Sequence, residues 1–345
     1  MSGKGEPLSA HASPRRVVVY GLGGTIAMTS DNGRGVVPAL SAAQLVEAVP
    51  GWADAGIEVE VVDFRRLPSA SLGFDDLLAL AAEIRGRLAR GGVDGVVVTQ
   101  GTDTLEEAAY LLDLFHTAAE PVVVTGAMRN PALAGADGPA NLLAAVRTAA
   151  HPASRGRGVL VVLADQIHAA GRVRKTHTSG VCAFTSPDSG PLGLVAEGDP
   201  WFLSGPTVRF TLDPAAVRAR PRVPLVTVAL GDDGVLLHGL AGRADGLVVA
   251  GAGGGHVPRD LVAPLGELAG SMPVVLASRT GAGPVLRATY AYPGSERDLL
   301  ERGLVGAGLL DPLKARVLLW ALLACGGDRD AVVSAFGRAG GAVHG

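Results

Sequence analysis

The sequence predicts an α/β protein of two α/β domains, a larger N-terminal domain with a mainly parallel sheet flanked by helices, and a smaller C-terminal domain. Three observations support this prediction. Short valine-rich runs alternate with segments of helical period, which is typical of βαβ units and a parallel sheet. A polar, proline-rich stretch at residues 201–222 interrupts the alternation. The chain has 345 residues, 48% of them hydrophobic, and this length more naturally forms two domains than one.

The elements of the first domain follow from its apolar runs. Four runs have the length and composition of buried strands, at residues 16–20, 93–99, 121–125 and 159–163. Helical patterns cover residues 105–115 and 140–149. Right-handed crossovers gather the loops that follow such strands at one edge of the sheet, where open α/β folds bind ligands. We therefore expect the residues after these strands to come together.

The second domain begins where the alternation resumes. Its predicted elements are strands at 223–230, 246–250 and 273–278 and a helix at 312–324. We interpret the proline-rich stretch before it as an interdomain linker. The predicted division is therefore a domain at 15–200, a linker at 201–222 and a domain at 223–345.

Charge and cysteine content exclude several classes of protein. A net charge of -3 and a pI near 6.2, without a dense Lys/Arg run, argue against nucleic acid or an anionic membrane as a partner. Cys182 and Cys325 lie far apart and match no metal spacing, so we expect neither a disulfide framework nor a zinc site, and we expect both thiols to be reduced and buried.

The apolar segments do not predict a membrane protein. The first 16 residues are polar and small and offer no signal sequence, which leads us to expect a cytoplasmic protein. The later apolar runs are interrupted by Gly, Pro or charge, so no transmembrane helix is predicted.

The first strand leads into a glycine-rich turn, GLGGT, that ends in Thr25. Glycine at 21, 23 and 24 lets a ligand approach the backbone closely, and amide groups near Thr25 are suited to bind developing negative charge. A dinucleotide site is disfavoured because the third glycine and an acidic ribose partner are missing. The turn alone leaves open whether Thr25 is a nucleophile or a capping hydroxyl.

A second threonine, Thr102, follows the strand that ends in VVVTQG. In GTDTLEE, Thr104 with Glu107 and Asp103 with Glu106 have the spacing of capping boxes. Capping does not account for Thr102, which precedes the cap. A hydroxyl beside a carboxylate becomes a proton-transfer site only if a third group takes the proton.

Lys175, in GRVRKTHTSG, is a candidate for that third group. A lysine sheltered from water loses part of its preference for the charged state and can act as a base, with Asp103 holding it in place. The alternative is that Lys175 belongs to a solvated basic trio with Arg172 and Arg174. The spacing leaves both interpretations open.

Five motifs together resemble the bacterial-type L-asparaginases. They are VVVYGLGGTIAMTS, VVVTQGTDTLEEAAYLL, VVVTGAMRNPALAGADGPANLLAAV, GRVRKTHTSGVCAFTSPDSGPLG and GLLDPLKARVLLWALL. The similarity runs in order over residues 17–336. It implies hydrolysis of the side-chain amide of L-asparagine to L-aspartate and ammonia, without a metal or organic cofactor. It also implies a homotetramer of intimate dimers, in which the partner's C-terminal domain completes each site.

The resemblance assigns roles to individual residues. Thr25 becomes the nucleophile, and Thr102, Asp103 and Lys175 become a relay on the other side of the substrate. Asp103 would also contact the substrate's α-amino group. Which threonine attacks first stays open.

Other residues of the similar motifs would line the substrate pocket. Ser69 matches a serine that binds the substrate's α-carboxylate, although a turn serine explains it equally well. The backbone at Gly24 would help to bind the oxyanion, and Ala127 corresponds to a backbone position lining the pocket. Asp137 and Asn141 are interpreted as structural.

The chain departs from the family pattern at three places. Val36 or Val37 takes the place of a loop tyrosine that usually accompanies the nucleophile. Tyr20 precedes Thr25, and both an activating role and a place in the strand core are open for it. Ala70 replaces a glutamine that contacts substrate. His256 takes the place of an asparagine that some members present to a neighbouring subunit, so a rim role and a simple loop histidine are both open.

These departures keep two alternatives to an asparaginase open. One is an asparaginase/glutaminase or another small-amide hydrolase, because the two amino acids differ by a single methylene. The other is a homologue that binds aspartate or asparagine without turnover.

Overall fold

The computed structural model describes residues 14–24, 26, 28–30, 36–38, 42–47, 49, 56–206 and 209–341. Thr25, the predicted nucleophile, lies outside the described residues. The described strands are β1 (Arg15–Gly21), β2 (Met28–Ser30), β3 (Val36–Pro38), β4 (Ile57–Asp63), β5 (Gly95–Thr99), β6 (Val122–Thr125), β7 (Val159–Leu163), β8 (Gln166–Ala169), β9 (Arg174–Lys175), β10 (Phe184–Thr185), β11 (Gly193–Ala196), β12 (Asp199–Phe202), β13 (Leu225–Thr227), β14 (Leu247–Gly251), β15 (Val274–Ser278) and β16 (Val305–Gly306). The described helices are α1 (Ala42–Glu47), α2 (Phe74–Ala89), α3 (Leu105–Phe115), α4 (Gly138–Ala150), α5 (Val262–Ser271), α6 (Glu296–Glu301), α7 (Pro312–Ala324) and α8 (Arg329–Ala339).

The N-terminal sheet has eight strands in the order β12-β11-β8-β7-β6-β5-β1-β4. The strands from β4 to β7 pair in parallel, and β8, β11 and β12 extend the sheet in antiparallel fashion. The pleat divides the side chains of β1 between two layers: Val18 and Tyr20 pack with α2 and α3, whereas Val17 and Val19 pack with α4. Burial on both faces explains the unbroken valine runs of these strands.

The second sheet is smaller and wholly parallel, in the order β13-β14-β15-β16. Val249 of β14 faces α5, whereas Val248 faces α7. The layer containing α7 belongs to the same buried cluster as α3 and β5 of the first domain. The structure is therefore a two-domain α/β fold, as predicted, with one apolar core shared between the domains.

An aromatic stack lies where the two domains meet. Phe74, the first residue of α2, lies flat against Trp320 of α7, with ring centroids 3.9 Å apart and planes 1° from parallel. The guanidinium of Arg316 lies over the ring of Phe74, 5.4 Å from its centroid. Trp320 is buried. This contact joins the first turn of α2 directly to the C-terminal domain.

The sequence expectation about the two cysteines needs correction. The expectation that both cysteines are buried was wrong, because Cys182 is exposed in the loop between β9 and β10 and Cys325 is half-buried at the end of α7. Within the described residues, no helix is long and apolar enough to cross a membrane. The same part of the chain contains no group of three His, Cys, Asp or Glu side chains arranged to hold a metal ion.

Candidate active site

Three loops meet at the carboxyl edge of the larger sheet, after β1, β5 and β6. Gly24 has φ +87°, and a Cβ there would lie 2.0 Å from the backbone nitrogen of Gly101. A Cβ at Gly126 would lie 2.6 Å from the carbonyl oxygen of Gln100 and 3.2 Å from Cγ2 of Thr102. Glycine is therefore required for the loops to pack backbone against backbone at this place.

Thr102, Asp103 and Lys175 come together at this edge. Nζ of Lys175 donates to Oγ1 of Thr102 at 2.9 Å and to Oδ1 of Asp103 at 2.7 Å. The lysine side chain is only 14% exposed, whereas that of Asp103 is 69% exposed. The structure thus decides between the two interpretations of Lys175: it is a sheltered amine in contact with a hydroxyl and a carboxylate.

A short hairpin presents Lys175 to the loop after β5. Strand β9 pairs with β10, with Lys175 opposite Phe184. Phe184 is buried, which anchors the hairpin in the core while the lysine side chain reaches Thr102. The backbone N–H of Lys175 donates to Oε1 of Glu106 at 3.3 Å, in the first turn of α3. The lysine is therefore held by its backbone as well as by its ammonium group.

Ser69 belongs to the same site. It is buried in a 3-10 turn (Ser69–Ser71), and its Oγ accepts a hydrogen bond from the backbone N–H of Asp103 at 3.3 Å. The hydroxyl of Thr104 donates to the carbonyl oxygen of Ser69 at 2.9 Å. The predicted capping box of Thr104 with Glu107 was wrong, because the Thr104 side chain makes no cap hydrogen bond and binds this turn instead.

The loop after β6 is fixed by two polar side chains of α4 and its N-terminus. Asn141 donates from Nδ2 to the carbonyl oxygen of Gly126 at 3.0 Å, and Asp137 accepts a hydrogen bond from the backbone N–H of Met128 at 3.0 Å. Ala127, between these anchored residues, is buried. These contacts hold the backbone at Ala127 in place beside Thr102.

Comparison with known proteins identifies the family of this chain. The family model for the N-terminal domain of asparaginase matches residues 16–207, and the model for the glutaminase/asparaginase C-terminal domain matches residues 222–336. The chain belongs to the asparaginase family. A probable L-asparaginase of Deinococcus radiodurans is 40% identical over 330 residues, which cover 94% of this chain and 98% of that protein. A glutaminase-asparaginase of Pseudomonas fluorescens biotype A is 34% identical, over 89% of this chain and 86% of its own.

A solved structure of a similar protein has the same fold. The crystal structure of a probable cytoplasmic L-asparaginase from Campylobacter jejuni superposes with a TM-score of 0.85 at 33% identity. The match covers 94% of this chain and 99% of that one. Both domains of this chain therefore have the asparaginase fold.

Two valines stand where the asparaginase pattern has the loop tyrosine. Strand β3, with Val36 and Val37, pairs with β2 as a two-stranded antiparallel ribbon, in which Thr29 is opposite Val37. Tyr20, near the end of β1, lies with its hydroxyl 3.5 Å from Oε1 of Glu83 in α2. It is fully buried, and burial, reinforced by the charge of Glu83, raises the pKa of its hydroxyl to about 12.

His256 lies in a separate polar cluster of the C-terminal domain. Its Nε2 is 3.1 Å from Oε2 of Glu296, and the hydroxyl of Tyr292 is 3.0 Å from Nδ1. Glu296 is fully buried; burial by itself would raise its pKa, but hydrogen bonds from the backbone N–H groups of Tyr290 and Thr289 hold it below its usual range. Sequence reasoning identified the histidine but missed its acidic and phenolic partners.

Sequence reasoning also missed Glu106 and Lys314, which lie behind the relay. Their side chains are buried, and Nζ of Lys314 donates to Oε2 of Glu106 at 2.8 Å. One signal was present in the sequence: Lys314 and Arg316 are the two charged residues of α7, whose other residues are apolar. Its partner, 208 residues earlier in the chain, has no comparable signal.

Proposed function

We propose that this chain is an L-asparaginase, which hydrolyses the side-chain amide of L-asparagine to L-aspartate and ammonia. The observation that carries the proposal is the position of one sheltered amine, Nζ of Lys175, 2.9 Å from Thr102 Oγ1 and 2.7 Å from Asp103 Oδ1. An amine in its neutral form can take a proton from the threonine hydroxyl, and the carboxylate orients it. The relay lies at the sheet edge where α/β enzymes bind substrates.

In the proposed substrate complex, the exposed carboxylate of Asp103 binds the α-ammonium group of asparagine. Ser69, which is bonded to the backbone of Asp103, contributes to the binding of the α-carboxylate. Both groups lie on the loop and turn beside Thr102, so the side-chain amide can reach the relay. The backbone at Ala127 and Gly24 lines the remaining sides.

In the proposed reaction, Oγ of Thr25 attacks the amide carbon and gives up its proton to the relay, and backbone N–H groups near Gly24 and Thr102 stabilise the oxyanion. The C–N bond then breaks, and the relay passes that proton to the leaving nitrogen, so that ammonia leaves. Water attacks the resulting β-acyl-enzyme, and Thr102 with Lys175 accepts a proton of that water. The bond between the acyl carbon and Oγ breaks and Oγ takes up this proton, which gives L-aspartate and the free threonine hydroxyl.

A second candidate mechanism makes Thr102 the first nucleophile. The contact with Lys175 favours it, because this contact already gives Thr102 a base. Rapid acid quenching during turnover, followed by peptide mass spectrometry, distinguishes the two mechanisms by the threonine that carries the acyl group. An acyl group on Thr102 would remove Thr25 from the role of nucleophile.

The proposed function is tested by ammonia release from L-asparagine and L-glutamine, measured in parallel for the native protein and two variants. We expect Thr25→Ala and Thr102→Ala each to lower kcat by at least about 100-fold, since each removes a group that acts on the reacting atoms. Thr117→Ala, at an exposed position beyond α3, is the control and keeps full activity. Binding of aspartate without ammonia release by the native protein would instead indicate a non-catalytic homologue.

The glutamine measurement addresses the alternative of a dual asparaginase/glutaminase. The Pseudomonas relative is a glutaminase-asparaginase, and here Ala70 is exposed beside Ser69 and offers no polar side-chain contact. One methylene in a pocket changes transition-state binding by only ~1–3 kcal/mol. Equal kcat/KM for the two amides would establish the dual activity.

We also propose a homotetramer of intimate dimers in the cytoplasm, with residues 201–222 as the interdomain linker. The similarity of the five motifs supports the tetramer, and the probable cytoplasmic L-asparaginase from Campylobacter jejuni supports the location. The two family models leave residues 208–221 between them, which supports the linker. Light scattering on the purified protein tests the assembly: a monomeric mass with full activity would contradict the proposed tetramer.

A further inference from the structure

A buried ion cluster lies directly behind the relay, at the junction of the two domains. Lys314 of α7 is fully buried. Its Nζ donates to Oε2 of Glu106 at 2.8 Å, to Oδ2 of Asp311 at 3.0 Å and to the carbonyl oxygen of Val173 at 2.5 Å. The three protons of the ammonium group thus have three acceptors. Burial by itself would raise the pKa of Asp311, but the charge and hydrogen bond of Lys314 hold it below its usual value.

Two members of the cluster hold the strand that carries Lys175. Lys314 binds the carbonyl oxygen of Val173, and Glu106 accepts a hydrogen bond from the backbone N–H of Lys175 at 3.3 Å. In an extended segment, the backbone groups of alternate residues point to the same side. The opposite side belongs to the hairpin, where the backbone N–H of Thr176 donates to Ala183. The strand before and at Lys175 is therefore fixed from both sides.

The same cluster also connects to the other half of the relay. Glu106 lies in the first turn of α3, three residues after Asp103 and four after Thr102. Lys314 is itself fixed by Asp311, which caps α7 by accepting hydrogen bonds from the backbone N–H groups of residues 313 and 314. Glu106 and Lys314 thus join the threonine loop, the lysine strand and the C-terminal domain.

Stability alone is a weak reason for charges at this place. Burying an ion pair removes both ions from water, and an apolar pair of similar volume is often as stable or more stable. Apart from Arg316, the other residues of α7 are apolar, so methionine or leucine would suit position 314 for packing. The polar groups of Lys314 and Glu106 have an additional effect, because their hydrogen bonds fix the strand that carries Lys175.

We propose that Lys314 and Glu106 are positioning residues, which hold Nζ of Lys175 against Thr102 and Asp103 through their hydrogen bonds to the carbonyl oxygen of Val173 and to the backbone N–H of Lys175. The proposal rests on the proposed function.

Two variants test the proposal, each removing one charge. Lys314→Met keeps the length of the side chain, and Glu106→Gln keeps an acceptor for the N–H of Lys175. We expect each to lower kcat about 10-fold or more, with KM changed less than about threefold, because positioning acts on the reacting atoms rather than on substrate binding. The readout is the initial rate of ammonia release as a function of L-asparagine concentration, which gives kcat and KM separately.

Leu318→Ala is the control for structural damage. Leu318 is buried in the same helix and packs in the shared core, and it takes no part in the ion cluster. We expect it to lower Tm while kcat and KM stay unchanged. Glu106→Gln, with the smaller change in shape, serves if Lys314→Met fails to fold.

The outcomes are distinguishable. Native protein that releases no ammonia would overturn the proposed function, independently of the cluster. Active native protein with folded variants that lose only Tm, as in Leu318→Ala, would overturn the positioning role.

Discussion

At the scale of single residues, the ammonium group of Lys175 joins two groups of different exposure. Thr102 is buried and Asp103 is largely exposed, so the lysine connects a sheltered hydroxyl to a carboxylate at the solvent edge. Removing the amine should therefore affect proton transfer more than substrate binding.

We expect Lys175→Met to lower kcat by about 100-fold or more, since general-base catalysis typically contributes 10²–10⁴-fold. KM for L-asparagine should change only a few-fold. Steady-state ammonia release measures both. Arg297→Met, which removes an exposed cation from α6, is the control for loss of positive charge and should behave as native. A pure rise in KM in the lysine variant would contradict the relay.

The residues of this relay were predictable to different degrees. Thr102 and Asp103 follow an apolar run and are adjacent in sequence, which indicated a shared loop. Lys175 is 73 residues from Thr102, and spacing left its role open, so the resemblance to a family supplied the link. Glu106 and Lys314 escaped notice because burial of a charge depends on contacts between elements far apart in the chain.

At the scale of secondary structure, the loop after β1 depends on a glycine. Gly24 has φ +87°, and an added Cβ would lie 2.0 Å from the backbone nitrogen of Gly101. Strain and overlap at the junction of two strand-end loops should disturb the neighbouring site.

We expect Gly24→Ala to cost about 1–3 kcal/mol or more of stability and to lower kcat at least 10-fold. Gly91→Ala is a matched control, because Gly91 has φ +73° and no atom within 4 Å of the added Cβ. Urea unfolding and ammonia release measure the two effects. If both variants lose equally little stability, overlap with Gly101 is not the determining contact.

Prediction of the elements succeeded where both faces are buried. The runs that became β5, β6 and β7 consist of buried residues, and their valine content is an unmistakable signal. Strand β4 was missed because its sequence, IEVEVVD, alternates apolar and acidic residues, as suits a half-exposed edge strand. The antiparallel strands β8, β11 and β12 are short, and their pairing depends on the sheet they extend.

At the scale of the whole molecule, acid should weaken the fold through a buried histidine. His168 of β8 is fully buried, and burial lowers its pKa to about 4. The unfolded chain takes up a proton near pH 6.5, whereas the folded chain does so only near its lowered pKa. The unfolded state therefore binds more protons in this window, and stability falls as the pH falls from about 6.5 to about 4.

His168→Asn should reduce this loss, because the amide keeps a polar atom towards Ser186 and cannot titrate. The loss at this residue amounts to roughly 3 kcal/mol at the acid end of the window. Urea unfolding at a series of pH values measures it. His238→Asn, at an exposed position, is the control and should follow the native curve. An unchanged pH dependence in His168→Asn would assign the acid sensitivity to other groups.

The stack of Phe74 on Trp320 allows the contact between the two domains to be followed by tryptophan fluorescence. The chain has three tryptophans: Trp320 is buried, Trp201 is 63% exposed, and Trp52 lies outside the described residues. An indole in an apolar interface emits at shorter wavelength than one in water. In a Trp201→Phe background, a red shift of the emission would therefore report the separation of α2 from α7, and with it the moment at which the helix bearing Lys314 leaves the rest of the site.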